Sequence, residues 1–230
     1  KGCKEIILLG QNVNAYHGIN KNNKQINLAG LIKELVKIKK LERITYTTSH
    51  PRDMNDDLID LHEDSEKLNP YLHLPVQSGS DDILKNMNRK YTSKQYLEII
   101  DKLRKKVPNI ALSSDFIVGF PGETKKDFQD TLNLVKEVKF AQSYSFKYSR
   151  RIGTKANRIN CMLTEEEKNE RLQVLQMVLN KQKHDYNKTF LGKRIEVFIK
   201  GKGKKDNQYK GTTKWMQSTI FESKKHLETN

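Results

Sequence analysis

The chain has 230 residues, 35% of them hydrophobic, and its 43 Lys+Arg against 28 Asp+Glu give a formal net charge of +15. That composition supports a core, offers no window apolar enough for a membrane span, and favours an anionic partner, RNA or DNA ahead of a lipid surface, over a merely lysine-rich solvated surface. Cys3 and Cys161 lack metal-ligand spacing and the six histidines form no His-x-x-x-His pair, which predicts reduced thiols in a cytosol and no self-sufficient metal site.

In chain order, residues 4–10 (KEIILLG) read as a strand buried on both faces, followed by a polar loop through Gln25. A chain that opens on Lys1 with such a strand is expected to be a piece of something longer, and no secretory signal pattern is visible. Leu28, Leu31, Ile32, Leu35, Val36 and Ile38 recur at helical spacing with lysines between them. A strand over residues 43–48 ends in Thr48-Ser49-His50-Pro51, and a short helix follows over 53–62. A third strand, 71–77, runs into Ser78-Gly79-Ser80, where Ser80 reads as an N-cap with Asp81 and Asp82 in the first helical turn. Tyr96, Leu97, Ile99, Ile100 and Leu103 define a helix stopped at Pro108.

Residues 110–123 (IALSSDFIVGFPGE) then begin with strict alternation, a period of two that marks a strand. It feeds a glycine-rich turn and a helix over 125–139, a common setting for an anionic or nucleotide-like ligand. A strand over 142–148 follows, and Thr164 with Glu167 forms a capping box for a long helix. Strands and helices alternate at roughly the 35-residue spacing of βα units, which predicts an α/β protein with a parallel sheet. From Leu191 the pattern becomes short charged strands, the expected beginning of a small β-domain in which Tyr209 and Trp215 suit either RNA stacking or inward packing.

The strand parity opposite the apolar one carries Thr45, Thr47, His73, Gln77, Ser113, Asp115, Ser145 and Lys147. In an ordinary eight-unit barrel those positions are Val, Ile and Leu. We therefore expect a wide or incomplete barrel whose polar interior holds a ligand. An inward carboxylate at Asp115, with no basic neighbour on its strand, needs a partner. His50 and His73 read more simply as hydrogen-bonded structural histidines.

The motifs at the strand ends are GQNVNAY (10–16), TSHP (48–51), LHLPVQSGS (72–80), MNRK (87–90), SSDFIVGFPGET (113–124) and SYSFKYS (143–149). Together and in this order they resemble the MiaB-type tRNA methylthiotransferases, which are radical S-adenosylmethionine enzymes, and the likeness extends from Lys1 to about residue 190. The resemblance implies an open, partial (β/α)6 radical-SAM barrel over 1–190, here missing its first βα unit, and a truncated TRAM-like β-segment over 191–230. It implies S-adenosylmethionine as cofactor, with Gln11 and Asn12 at its amino-acid end, Gln77 and Ser78 near the ribose, and Ser113, Asp115 and Gly119 beside the adenosyl group. Lys147 is expected to contact adenine or substrate, and Arg89, Arg150 and Arg151 to contact RNA phosphate. Two 4Fe–4S clusters belong to full-length members, and their ligands are not in this chain: it has no Cys-x-x-x-Cys-x-x-Cys loop. A further departure is Arg151-Ile152-Gly153-Thr154, where the family usually has Arg-Pro-Gly-Thr.

The implied reaction adds a methylthio group to carbon 2 of isopentenyl-adenosine beside the anticodon. The implied partners are a tRNA anticodon arm and a sulfur donor system, for a cytoplasmic monomer with no membrane attachment. The piece alone is expected to be inactive. The competing readings are a non-catalytic tRNA- or RNA-binding module, which the net charge favours, and a metal-free aldolase-type barrel using Lys147 with Asp115.

Overall fold

The structure, a computed structural model, describes residues 2–150, 153, 154, 156, 159 and 163–228. Strand β1 (Glu5–Leu8) is followed by a hairpin of β2 (His17–Ile19) and β3 (Gln25–Asn27), then helix α1 (Leu28–Val36). Next come β4 (Arg43–Tyr46), α2 (Asp56–Asp64), β5 (Tyr71–His73), α3 (Asp81–Asn86) and α4 (Ser93–Lys106). The series continues with β6 (Ala111–Val118), α5 (Lys125–Val138), β7 (Gln142–Lys147) and α6 (Glu165–Lys188). A three-stranded antiparallel sheet of β8 (Phe198–Lys202), β9 (Gln208–Thr212) and β10 (Ser218–Glu222) ends the described chain. No helix among the described residues is long and apolar enough to cross a membrane.

Two parallel groups, β1–β4 and β5–β6–β7, are joined where Ile44 bridges to Leu68 just ahead of β5. The helices cover one face of these strands, because every second residue is large and apolar. On β6 those residues are Leu112, Phe116 and Val118, with buried Ser114 among them accepting a hydrogen bond from Val76 N (2.9 Å). Phe116 meets Phe140 edge-on at 5.5 Å, and burying one such ring contributes roughly 1.5–3 kcal/mol. Capping boxes at Thr92, Thr124 and Thr164 start α4, α5 and α6, so each helix begins where its side chain satisfies otherwise unpaired N–H groups.

Two sequence expectations change here. The polar loop before α1 contains the β2–β3 hairpin. The strand expected over 71–77 pairs regularly only to His73, because Pro75 has no N–H to give to a ladder. The phenols of Tyr96 and Tyr91 satisfy the freed carbonyls instead, donating to Leu74 O and Val76 O at 3.0 Å each.

The C-terminal sheet lies against the N-terminal ends of the parallel strands. Arg43 donates to Thr212 O (2.9 Å) and sits over the Phe198 ring, while Lys200 pairs with Glu5 of β1. Met216 Sδ accepts from Thr45 Oγ1 (3.8 Å) and Asn69 Nδ2 (3.7 Å). These contacts settle the two aromatics. Tyr209 is 2% exposed and stacks on Phe221, and Trp215 packs on Phe190 with its indole N–H donating to Asn109 O (3.0 Å). Both pack inward rather than forming an RNA-stacking surface.

Candidate functional site

The C-terminal ends of the parallel strands carry unusual backbone. Thr48 (φ 67°) and Gln77 (φ 72°) stand in the left-handed region immediately after β4 and in the β5 extension. For a β-branched residue this is a costly conformation, and such strain concentrates at functional sites. Gly119 (φ 72°) closes β6, and a Cβ there would come within 2.6 Å of the Lys168 side chain. Only glycine fits.

Side chains then fix the rim. After β1, Asn14 and His50 exchange hydrogen bonds through side chain and backbone (2.9 and 2.8 Å), and Asn12 Nδ2 donates to Asp53 Oδ2 (2.6 Å). Burial works against the Asp53 carboxylate, yet hydrogen bonds from Arg52 and Asn12 outweigh it and hold the group below its ordinary value. Burial, aided by the nearby Arg89 guanidinium, pushes His50 down, so its imidazole is neutral at pH 7. Gln11 is exposed at the same rim.

The turn after β6 is braced from α6. Glu123 accepts from Gly119 N (3.1 Å) and from Arg171 Nη1 (2.5 Å), and Arg171 also donates to Thr124 O (3.2 Å). Burial raises the Glu123 carboxyl despite these donors. Ser78 and Ser80 belong to a different junction. The Ser78 hydroxyl lies 3.2 Å from Thr131 Oγ1, Ser80 donates to Asp127 (2.5 Å), and Gly79 passes so close to α5 that a Cβ would meet Asp130 O at 2.6 Å. The Ser78 side chain is thus turned into α5.

The helix-free face carries His73, Ser113 and Asp115. Register places Tyr71 and His73 of β5 beside Ala111 and Ser113 of β6, and Asp115 and Ile117 beside Tyr144 and Phe146 of β7. His73 Nδ1 lies 2.9 Å from Ser113 Oγ, and its Nε2 lies 3.6 Å from Asp115 Oδ2. Asp115 therefore has an imidazole beside it on the neighbouring strand, just beyond hydrogen-bond distance, a placement for which the sequence held no local signal.

The expectation for Lys147 and Ser145 is corrected by the same register. Lys147 pairs with Val118, a residue of the helix-covered face, and its amine binds Glu165 (3.2 Å) and Asn169 (2.8 Å) of α6. Tyr144 and Phe146 take the positions assigned to Ser145 and Lys147. Arg89 is half-buried near His50, Arg150 is exposed, and Arg151 lies outside the described residues. Among the described residues no three His, Cys, Asp or Glu side chains converge to hold a metal ion.

Comparison with known proteins gives a consistent picture. The chain is 52% identical over 98% of its length to a tRNA-2-methylthio-N(6)-dimethylallyladenosine synthase of Orientia tsutsugamushi (strain Boryong), covering 50% of that protein. It is 55% identical over 96% of its length to the synthase of that name from Wolbachia pipientis subsp. Culex pipiens (strain wPip), again covering 50%. The chain thus spans about half the length of the curated relatives it matches. Among solved structures, coproporphyrinogen III oxidase (HemN) from Escherichia coli, a radical SAM enzyme, aligns with a TM-score of 0.54 at 16% identity, over 81% of this chain and 51% of that one. That likeness is one of fold. Residues 1–135 match the Radical SAM superfamily, and the chain belongs to it.

Proposed function

We propose that this chain is the body of a tRNA-2-methylthio-N6-dimethylallyladenosine synthase, adding a methylthio group to carbon 2 of isopentenyl-adenosine beside the anticodon. The observation that carries the reading is a polar, helix-free strand face centred on Asp115, reached from strand ends held in left-handed backbone at Thr48, Gln77 and Gly119. The relatives' names supply the substrate class. On this reading residues 1–190 are an open (β/α)6 barrel without its first βα unit, residues 191–230 are a TRAM-like segment, and the helix-free face is the barrel interior.

S-adenosylmethionine, when bound, supplies the radical chemistry that an aromatic C–H demands. The residues that would hold it are Gln11 and Asn12 at the end of β1 for its amino-acid end, Gln77 toward the ribose, and Ser113, Asp115 and the Gly119 turn beside its adenosyl group. The braced Glu123–Arg171 pair holds that turn rigid, which keeps the pocket wall in place before ligand arrives. An iron–sulfur cluster does not fit the described residues, since thiolates hold such clusters and no ligand group converges. No step is assigned to one on this chain.

Arg89 and Arg150 are the candidates for RNA phosphate, the partners are a tRNA anticodon arm and a sulfur donor, and the setting is cytoplasmic with the protein monomeric. The test is mass spectrometry of tRNA from cells in which the gene carrying this segment is the only source of the enzyme. A methylthio group on isopentenyl-adenosine is expected. Cleavage of S-adenosylmethionine with unmodified tRNA contradicts the assignment. The net charge of +15 supports one second reading, RNA binding without catalysis. It requires affinity that falls steeply with salt.

A further inference from the structure

His73, Asp115, Tyr144 and Phe146 share the helix-free face, and the cofactor assignment above leaves His73 and both aromatics without a role. Ser113 Oγ lies 2.9 Å from His73 Nδ1. With the Ser113 hydroxyl donating, Nδ1 accepts and the ring proton stands on Nε2, the nitrogen that faces the Asp115 carboxylate. Nε2 and the Asp115 carboxylate are 3.6 Å apart, beyond hydrogen-bonding reach of each other and adjacent on the surface. Among the described residues nothing donates a hydrogen bond to that carboxylate, and the side chain is 28% exposed. The face thus presents one donor beside one acceptor. Next to them, Tyr144 lies edge-on to His73 at 6.4 Å, and Tyr144 and Phe146 are 48% and 53% exposed on a strand otherwise packed against α6.

We propose that His73 and Asp115 are an adenine-reading pair, with Tyr144 and Phe146 as its stacking wall. Adenine presents a ring-nitrogen acceptor beside an exocyclic N–H donor, which is the complement of Nε2–H and carboxylate. Alkylation at the exocyclic nitrogen leaves one N–H, so an isopentenyl group does not remove the match. Guanine offers two acceptors at the equivalent edge, and its O6 would face the Asp115 anion. Enzymes that act on a base take it between aromatic side chains, where each stacked ring contributes roughly 1–3 kcal/mol. Two sources of adenine reach this site, the adenosyl group of the cofactor and the adenosine of the RNA. The second source rests on the function proposed above; the pairing does not.

The test uses the full 230-residue chain and needs no turnover. Binding is measured by calorimetry for S-adenosylhomocysteine and for an anticodon-arm RNA hairpin carrying isopentenyl-adenosine, each beside its 7-deaza counterpart. Loss of the ring nitrogen weakens binding about tenfold in the parent chain, as expected for one base-edge hydrogen bond. In His73→Phe that penalty disappears, and Asp115→Leu weakens the natural ligand about tenfold while still penalising 7-deaza substitution. An inosine ligand binds the unaltered chain about tenfold more weakly, a readout that depends on no variant folding. The ligand that shows the pattern identifies the source of the adenine. If folded His73→Phe keeps the full 7-deaza penalty with both ligands, or inosine binds as adenosine does, the pair does not read adenine. Unmodified tRNA in cells removes the methylthiotransferase reading and leaves the S-adenosylhomocysteine result standing.

Discussion

The two faces of β6 are built from alternate residues of one strand, and they obey different rules. On the helix-covered side Leu112, Ser114, Phe116 and Val118 are all buried, and each apolar side chain is specified by the volume it fills. On the helix-free side Ser113 is bonded to His73 and the Asp115 carboxylate stays part-exposed, so polar character rather than volume sets that face. The same backbone therefore carries a face where substitution costs stability and, on the function proposed above, a face where it costs binding. A strand can serve both because its side chains alternate.

The sharpest way to break this contrast is at the ring most enclosed on the covered face. Phe116→Ala is expected to destabilise the chain by about 4 kcal/mol, read from urea unfolding. A small loss would mean that face is not the core.

Acid should act on the covered side next. His62 is fully enclosed, bonded through Nε2 to the Tyr46 hydroxyl (2.6 Å), and burial pushes it down to about 4. A buried imidazole that resists protonation contributes stability that is intact above its ordinary value near 6.5 and is lost as pH falls toward 4. The loss amounts to at most about 3 kcal/mol over that window. Unfolding free energy measured from pH 7 to pH 4 checks it, and a flat profile would contradict the enclosure of His62.

Arg171→Met leaves the Glu123 carboxylate buried without its cation, and a loss of about 3 kcal/mol is expected at neutral pH. Hydrogen exchange at Gly119 should rise with it, because Glu123 is what accepts from that amide. At the small end, Thr164→Ala removes one N-cap and should cost about 1 kcal/mol. Asp115→Asn should change stability by no more than about 0.5 kcal/mol, since no hydrogen bond within the described protein depends on its charge.

Much of the covered face was legible in the sequence. The parity of residues 110–118, the Ser80 cap and the Thr164–Glu167 capping box are local signals, and the structure has them where the residue pattern puts them. The alternation in β7 was equally plain, but its direction was not. Ser143, Ser145 and Lys147 are polar and Tyr144 and Phe146 aromatic, and either set suits a polar interior or a helix interface. Only the register that sets Lys147 beside Val118 decides, and register is a long-range property. The His73–Asp115 and Glu123–Arg171 contacts were hidden for the same reason, since each joins residues far apart in the chain. Composition left Tyr209 and Trp215 open between RNA stacking and inward packing, and their contacts with Phe221 and Phe190 decide between the two.

The central claim is that the helix-free face, and not the α6 side of β7, meets the cofactor. Calorimetric binding of S-adenosylhomocysteine to Asp115→Leu and Lys147→Ala tests it most directly. We expect affinity to fall about tenfold in the first and to stay within twofold of the parent in the second. Affinity lost in Lys147→Ala and kept in Asp115→Leu would contradict the account.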